Sequence, residues 1–211
     1  QDTDDLAATF VHRAELRTTS DQPCRLPDEV VQRASEAAIE VPAHGATRSI
    51  SLGANPLADP PDLAEVIERD LAMRKVRAVP ADECEADGRY VWDNAPALAW
   101  GGEPINRIDG AVLHDGPDGE KMGWASMETR MCILRLPRVG DRIQSFGAAV
   151  DLRDTTAHVM LWAYDVDRGD LLTAFEVVSL AFDTIGRRAM SIPHQVRADE
   201  LSRFHPDLAA T

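Results

Sequence analysis

The clearest pattern of apolar and polar positions lies in the C-terminal half of the chain. Residues 124–136, 142–152, 156–166 and 171–182 form four strand-length runs, separated only by residues 137–141, 153–155 and 167–170. Breaks this short join antiparallel neighbours, because a parallel return needs a dozen residues or more. In the last two runs apolar residues occupy both faces: Val159, Met160, Leu161 and Trp162, then Val177, Val178 and Leu180. This predicts a sheet covered on both sides. A helix is expected to cover one face, and a partner sheet or subunit the other.

The N-terminal half is less regular. Residues 6–16 read as a strand around Thr9, Phe10 and Val11, ended by Thr18, Thr19, Ser20 and Asp21. Residues 26–34 read as a helix start, with Pro27 tolerated in the first turn and Asp28 and Glu29 suited to the positive end of the helix dipole. Residues 41–59 read as a connector. Asp62 is placed to cap a helix through about Arg74, with Leu63, Val66, Ile67 and Leu71 on one side. A short strand follows at residues 77–80. A central helix is expected over residues 93–108, weakened by Gly101, Gly102 and Pro104. Residues 109–121 form a turn-rich loop.

The two ends of the chain resemble each other at an offset of 166 residues: Leu6 falls on Leu172, Val11 on Val177, Thr18 on Thr184, Leu26 and Pro27 on Ile192 and Pro193, and Val30 on Val196. Such a repeat suggests duplicated structural units. Residues 1–40 then read as the end of a first, incomplete unit, 41–75 as a linker with a helix, 76–193 as a complete domain and 194–211 as a tail. Chance similarity of two strand-turn-helix segments is the alternative.

Composition narrows the function. The 211 residues carry a net charge of −14, which argues against nucleic acid or an anionic membrane as partner. No run approaches the roughly 18 apolar residues of a membrane span. The opening Gln1-Asp2-Thr3-Asp4-Asp5 shows no secretory signal, and the lack of an initiator Met suggests a processed or trimmed chain. Cys24, Cys84 and Cys132 are scattered and odd in number, as in reduced, cytoplasmic proteins. The six histidines are equally dispersed, so neither a metal nor another cofactor is expected.

Between the strand at 77–80 and the central helix lies Glu83-Cys84-Glu85-Ala86-Asp87-Gly88-Arg89, three carboxylates and a glycine within six residues, 83–88. This stretch resembles the Asp-x-Asp-x-x-Gly loop of hotdog-fold acyl thioesterases of the 4-hydroxybenzoyl-CoA thioesterase type. Glutamates replace both aspartates, Arg89 stands where His is common, and the Asn-Asn-x-Tyr often found next is absent. The resemblance implies an α+β hotdog fold, an antiparallel sheet wrapped around a central helix. The repeat adds a likeness to double-hotdog thioesterases.

The same resemblance implies hydrolysis of an acyl thioester of CoA or an acyl carrier protein, with another hotdog unit as partner. Glu85 takes the place of the family's base or nucleophile, beside Glu83 and Asp87. If the three carboxylates converge, crowding raises at least one pKa. Backbone amides near Asn94, Ala95 and Ala97 would polarise the carbonyl, as helix N-termini leave such groups unpaired. Arg89 and Arg138 are candidates for the carrier's phosphates. The bland alternatives are a solvated acidic loop, Arg130, Arg135 and Arg138 as solvating charges, Trp92, Trp100, Trp124 and Trp162 as core, His158 as structural, and Asp93 as a helix cap. Two other functions stay open: a non-catalytic acyl-thioester-binding subunit, and an enoyl-thioester hydratase or dehydratase, for which the loop lacks a His.

Overall fold

The structure, a computed structural model, describes residues 24–38, 43–100 and 113–210. The strand expected at 6–16 and the far part of the expected central helix, with Gly101, Gly102 and Pro104, lie outside these residues. The chain divides into two units, residues 1–48 and 49–211.

In the first unit α1 (Asp28–Glu36) begins directly after Pro27, and its first turn carries Asp28 and Glu29. None of its residues is buried. In the second unit α4 (His194–Leu201) begins directly after Pro193. The two prolines are 166 positions apart and have nearly the same backbone angles, φ −55°, ψ 140° and φ −55°, ψ 145°. The helices differ in what they bury. Val196 of α4 packs with Met122, Ala181 and Ile192.

The second unit is built on β1 (Arg77–Ala78), β2 (His114–Asp115), β3 (Lys121–Ile133), β4 (Arg142–Leu152), β5 (Thr156–Asp165), β6 (Asp170–Asp183) and β7 (Arg188–Ala189). All pairings are antiparallel, in the order β1-β4-β5-β6-β3-β2 with β7 beside β6. The four long strands are the four runs read from the sequence. β3 begins and ends three residues earlier than expected, since Leu134 and Arg135 leave the ladder and both donate to the Leu172 carbonyl.

Both faces of the sheet are covered. On one, Phe146, Met160, Trp162 and Ala174 pack with Val66 and Leu71, flanked by Leu57, Leu63 and Leu208. The cover on this face thus comes from the chain's own connector and tail, where the sequence suggested a partner. On the other face α3 (Ala95–Ala99) lies against β4, β5 and β6. There Leu98 joins Val79, Tyr90, Ile143, Ala163 and Leu172, and Ala99 joins Leu161, Phe175 and Val177. This is the expected α+β arrangement, an antiparallel sheet over a helix.

Several helix details differ from the sequence reading. Asp62 does cap α2 (Leu63–Glu68), its side chain accepting from Glu65 N at 2.8 Å. The helix stops well before Arg74 because Asp70 adopts φ 56°, a left-handed conformation that ends the ladder. The chain then runs alongside β4, with Met73 N donating to Ser145 O and Gly147 N to Leu71 O. A Cβ on Gly147 would lie 2.6 Å from Met73 Sδ and 2.7 Å from Leu161 Cδ2, so a larger residue there would have to displace both side chains. Ile67 points to solvent, unlike Val66.

α3 ends at Ala99 with Trp100 as its C-cap. Asp93 does not cap it: Asp93 lies within a 3-10 turn, Trp92–Asn94, and Asn94 holds the N-cap position without a side-chain bond. Nor are all four tryptophans core. Trp162 is buried, but Trp92 is 61 % exposed, because Tyr90 and Ala95 on either side take the inward positions.

Candidate functional site

The acidic stretch folds as a hairpin. After the 3-10 turn Ala81–Glu83, Cys84 and Tyr90 pair antiparallel, Glu85 N donates to Arg89 O at 2.7 Å, and Gly88 N donates to Glu85 O at 2.9 Å. Gly88 sits at φ 79°, in the region where a side chain is strained, which is why the turn needs glycine. The hairpin is fastened to the β3–β4 turn by its backbone. Tyr90 N donates to Pro137 O and Val139 N to Gly88 O, both at 2.9 Å, and Arg89 pairs with Arg138. Through Tyr90 and Val91 it runs straight into the turn before α3.

The three carboxylates of the hairpin do not converge. Glu83 is turned inward, 3 % exposed, with Arg77 Nη2 at 2.7 Å. Asp87 folds back on its own loop, accepting from Arg89 N at 3.0 Å and Arg89 Nε at 2.6 Å. Those bonds, the backbone one foremost, hold the Asp87 carboxyl below its ordinary value, the opposite of the rise that crowding would give. Glu85 is exposed on the hairpin. Arg89 and Arg138 are exposed beside it, Arg138 Nη1 reaching the Asp87 carbonyl at 3.3 Å.

The backbone donors expected at the helix start are largely occupied. Asn94 N donates to Val91 O at 3.1 Å and Ala95 N to Trp92 O, both in the 3-10 turn, while Pro96 has no N–H. Ala95 and Ala97 are buried. The 3-10 turn is the physical reason for the difference: it uses the groups that an α-helix beginning at Asp93 would have left open.

A second carboxylate centre sits in the middle of the sheet. Glu176 of β6, 3 % exposed, pairs with Arg130 of β3 and lies 2.8 Å from His158 Nε2 of β5. Arg130 also donates to Ser51 O at 2.7 Å and Ala54 O at 2.6 Å, while Glu128 accepts from Ser49 N and Ile50 N. Burial pushes the Glu176 carboxyl up, but the His158 bond and the Arg130 charge outweigh it and hold the group below its ordinary value. Arg135 is likewise engaged with buried Asp165 at 2.8 Å. Arg130 and Arg135 are therefore structural ion-pair partners rather than solvating charges. The signal for this centre was present in the sequence: Glu176 is the only charged residue between Leu171 and Phe182.

Among the described residues no group of His, Cys, Asp and Glu is placed to hold a metal ion, and no helix is long and apolar enough to cross a membrane.

No protein-family model and no curated protein matches the sequence. Solved structures do match. The probable thioesterase of Bartonella henselae is 12 % identical with a TM-score of 0.45, over 56 % of this chain and 95 % of that one. The YbaW probable thioesterase of Escherichia coli is 8 % identical with a TM-score of 0.47, over 62 % of this chain and 98 % of that one. The SAV2348 protein of Staphylococcus aureus, solved in complex with CoA, is 13 % identical with a TM-score of 0.46, over 62 % and 84 %. These similarities concern the fold alone.

Proposed function

We propose that the protein is a hydrolase of acyl thioesters, of CoA or of an acyl carrier protein, with Glu85 as general base or nucleophile. The observation that carries this reading is the setting of Glu85. It lies three residues before Gly88, on a hairpin whose backbone is fastened on one side to the sheet and leads on the other into the turn before α3. A carboxylate held on fixed backbone keeps its place relative to a bound carbonyl, and misplacement of about 1 Å can cost roughly a hundredfold in rate. Acting as base, Glu85 takes a proton from water as the water oxygen adds to the thioester carbonyl. The tetrahedral adduct then expels the thiolate, which is reprotonated. Glu83, tied to Arg77, and Asp87, tied to Arg89, set the shape of the hairpin. The exposed Arg89 and Arg138 lie where they can meet the phosphates of the carrier. In this reading the outer edge of β3, which pairs with β2 only at Lys121 and Met122, joins another hotdog unit, and the protein works in the cytoplasm.

The occupied amides of Asn94 and Ala95 favour a second reading, in which the protein binds an acyl thioester without turning it over. Thiol release from short, medium, long and aromatic acyl-CoAs, compared between wild type and Glu85→Gln, decides between them. The hydrolase reading expects turnover that falls at least about a hundredfold in the variant. Binding without thiol release across the panel sinks it in favour of the second.

A further inference from the structure

Hydrolysis of a thioester needs hydrogen-bond donors where negative charge develops on the carbonyl oxygen. With the Asn94 and Ala95 amides occupied and Pro96 lacking an N–H, the helix start offers few donors, and the rest of the fold is a further source of them. Beneath α3 the central strands carry a polar row among apolar neighbours. Ser145 of β4 is paired directly with Ala163 of β5, and Ala163 with Thr173 of β6, so all three side chains share one face. Ser145 is 1 % exposed and Thr173 fully buried, and neither hydroxyl has a hydrogen-bond partner in the protein. Ala163 packs with Leu98 of α3 and with Tyr90, one end of the acidic hairpin, whose other end, Cys84, borders the same cluster. The row therefore lies in the same packed layer as the loop that bears Glu85.

A buried hydroxyl without a partner lowers stability, whereas alanine and valine would fill these volumes without that loss. Direct neighbours in a sheet stand about 5 Å apart at Cβ, so the two hydroxyls bracket a gap of about 10 Å floored by the Ala163 methyl. With Leu98 moved off the Ala163 methyl, that gap would take one small polar group between two donors.

We infer that Ser145 and Thr173 form the polar floor of the acyl-thioester site, a proposal that rests on the hydrolase reading. A carbonyl oxygen over Ala163 accepts a hydrogen bond from one hydroxyl, and the other hydroxyl is left within reach of the attacking water on the opposite side of that carbonyl. The substrate reaches the row by lifting α3, a five-residue helix that holds the sheet through alanine methyls and Leu98.

The test compares Ser145→Ala and Thr173→Val with wild type, in thermal melts and in steady-state hydrolysis and binding of octanoyl-CoA. Each variant is expected to melt higher, by roughly 2–4 °C. Each is also expected to lose about tenfold to a thousandfold in kcat with KM little changed, as removal of an oxyanion donor does. A gain in stability with unchanged kcat and binding overturns the inference while leaving the hydrolase reading intact. Unchanged or lower melting temperatures overturn it too, since the hydroxyls would then have partners. Wild-type protein that neither binds nor hydrolyses any acyl-CoA of the panel overturns the hydrolase reading and this inference with it.

Discussion

The protein holds two groups of acidic side chains that differ in almost every physical respect. Glu83, Glu85 and Asp87 are crowded in sequence and scattered in space, each with a different environment. Glu176 is alone in sequence and surrounded in space, by Arg130 from one neighbouring strand and His158 from the other. Density of charge along a chain thus says little about density of charge in the fold. A carboxylate on a turn can always find water or its own backbone, as Asp87 does. A carboxylate in the middle of a central strand has no such choice and must be met by cations from across the sheet.

The largest effect is expected at the solitary site. Glu176→Gln leaves Arg130 and His158 in the sheet without their anion and should destabilise by about 3–5 kcal/mol, the usual loss on breaking a buried pair. Urea unfolding measures this, and a loss under about 1 kcal/mol would mean that the pair is no stronger than a surface bridge. The same centre should set an acid limit. Because the folded Glu176 carboxyl lies below its ordinary 4.5, its contribution is fully present above that pH and drains away as pH falls through the lower folded value. Wild type should therefore lose stability below about pH 4.5 more steeply than Glu176→Gln. Parallel slopes would remove Glu176 as the cause.

Within the hairpin the expected effects are graded. Glu83→Gln disturbs a buried partner of Arg77 and should cost about 1–3 kcal/mol in the same unfolding experiment. Asp87→Ala should leave the melting temperature within experimental scatter, because its bonds to Arg89 are exposed to solvent. Should Asp87→Ala prove the more damaging of the two, the hairpin would be held by its surface charges and not by the inward Glu83.

The sheet was readable from the sequence because its information is local. Runs such as 156–166 and 171–182 carry apolar residues on both faces, and the short breaks leave antiparallel pairing as the remaining option. Asp62 was readable as a cap for the same reason, since its partner is Glu65, three residues away. The Glu176 centre depends on partners 46 and 18 residues away in sequence, which no pattern of spacing reveals. The helix start at Asp93 was misread because an Asp before a Pro-containing helix suggests a cap, whereas the chain inserts a 3-10 turn that moves α3 on by two residues. Trp92 followed it outward. The source of the sheet's second cover was also hidden, since residues 41–59 read as a connector and the apolar side of the helix after Asp62 does not say what it meets until Val66 and Leu71 are seen packed with Trp162.

β6 carries Thr173 on one face and Glu176 on the other, and it is paired along nearly its whole length with β3 and β5. The strand acts as a ruler. A single residue inserted after Ala174, inside the continuously paired run 173–178, or deletion of Phe175, would slide every later position by one and exchange the faces. Glu176 would then point toward α3, and Phe175 or Val177 would meet Arg130. Length changes in this protein therefore belong beyond Asp183, where Thr184 to Arg187 form an exposed turn, and a library of one-residue insertions should find β6 the least forgiving part of the chain.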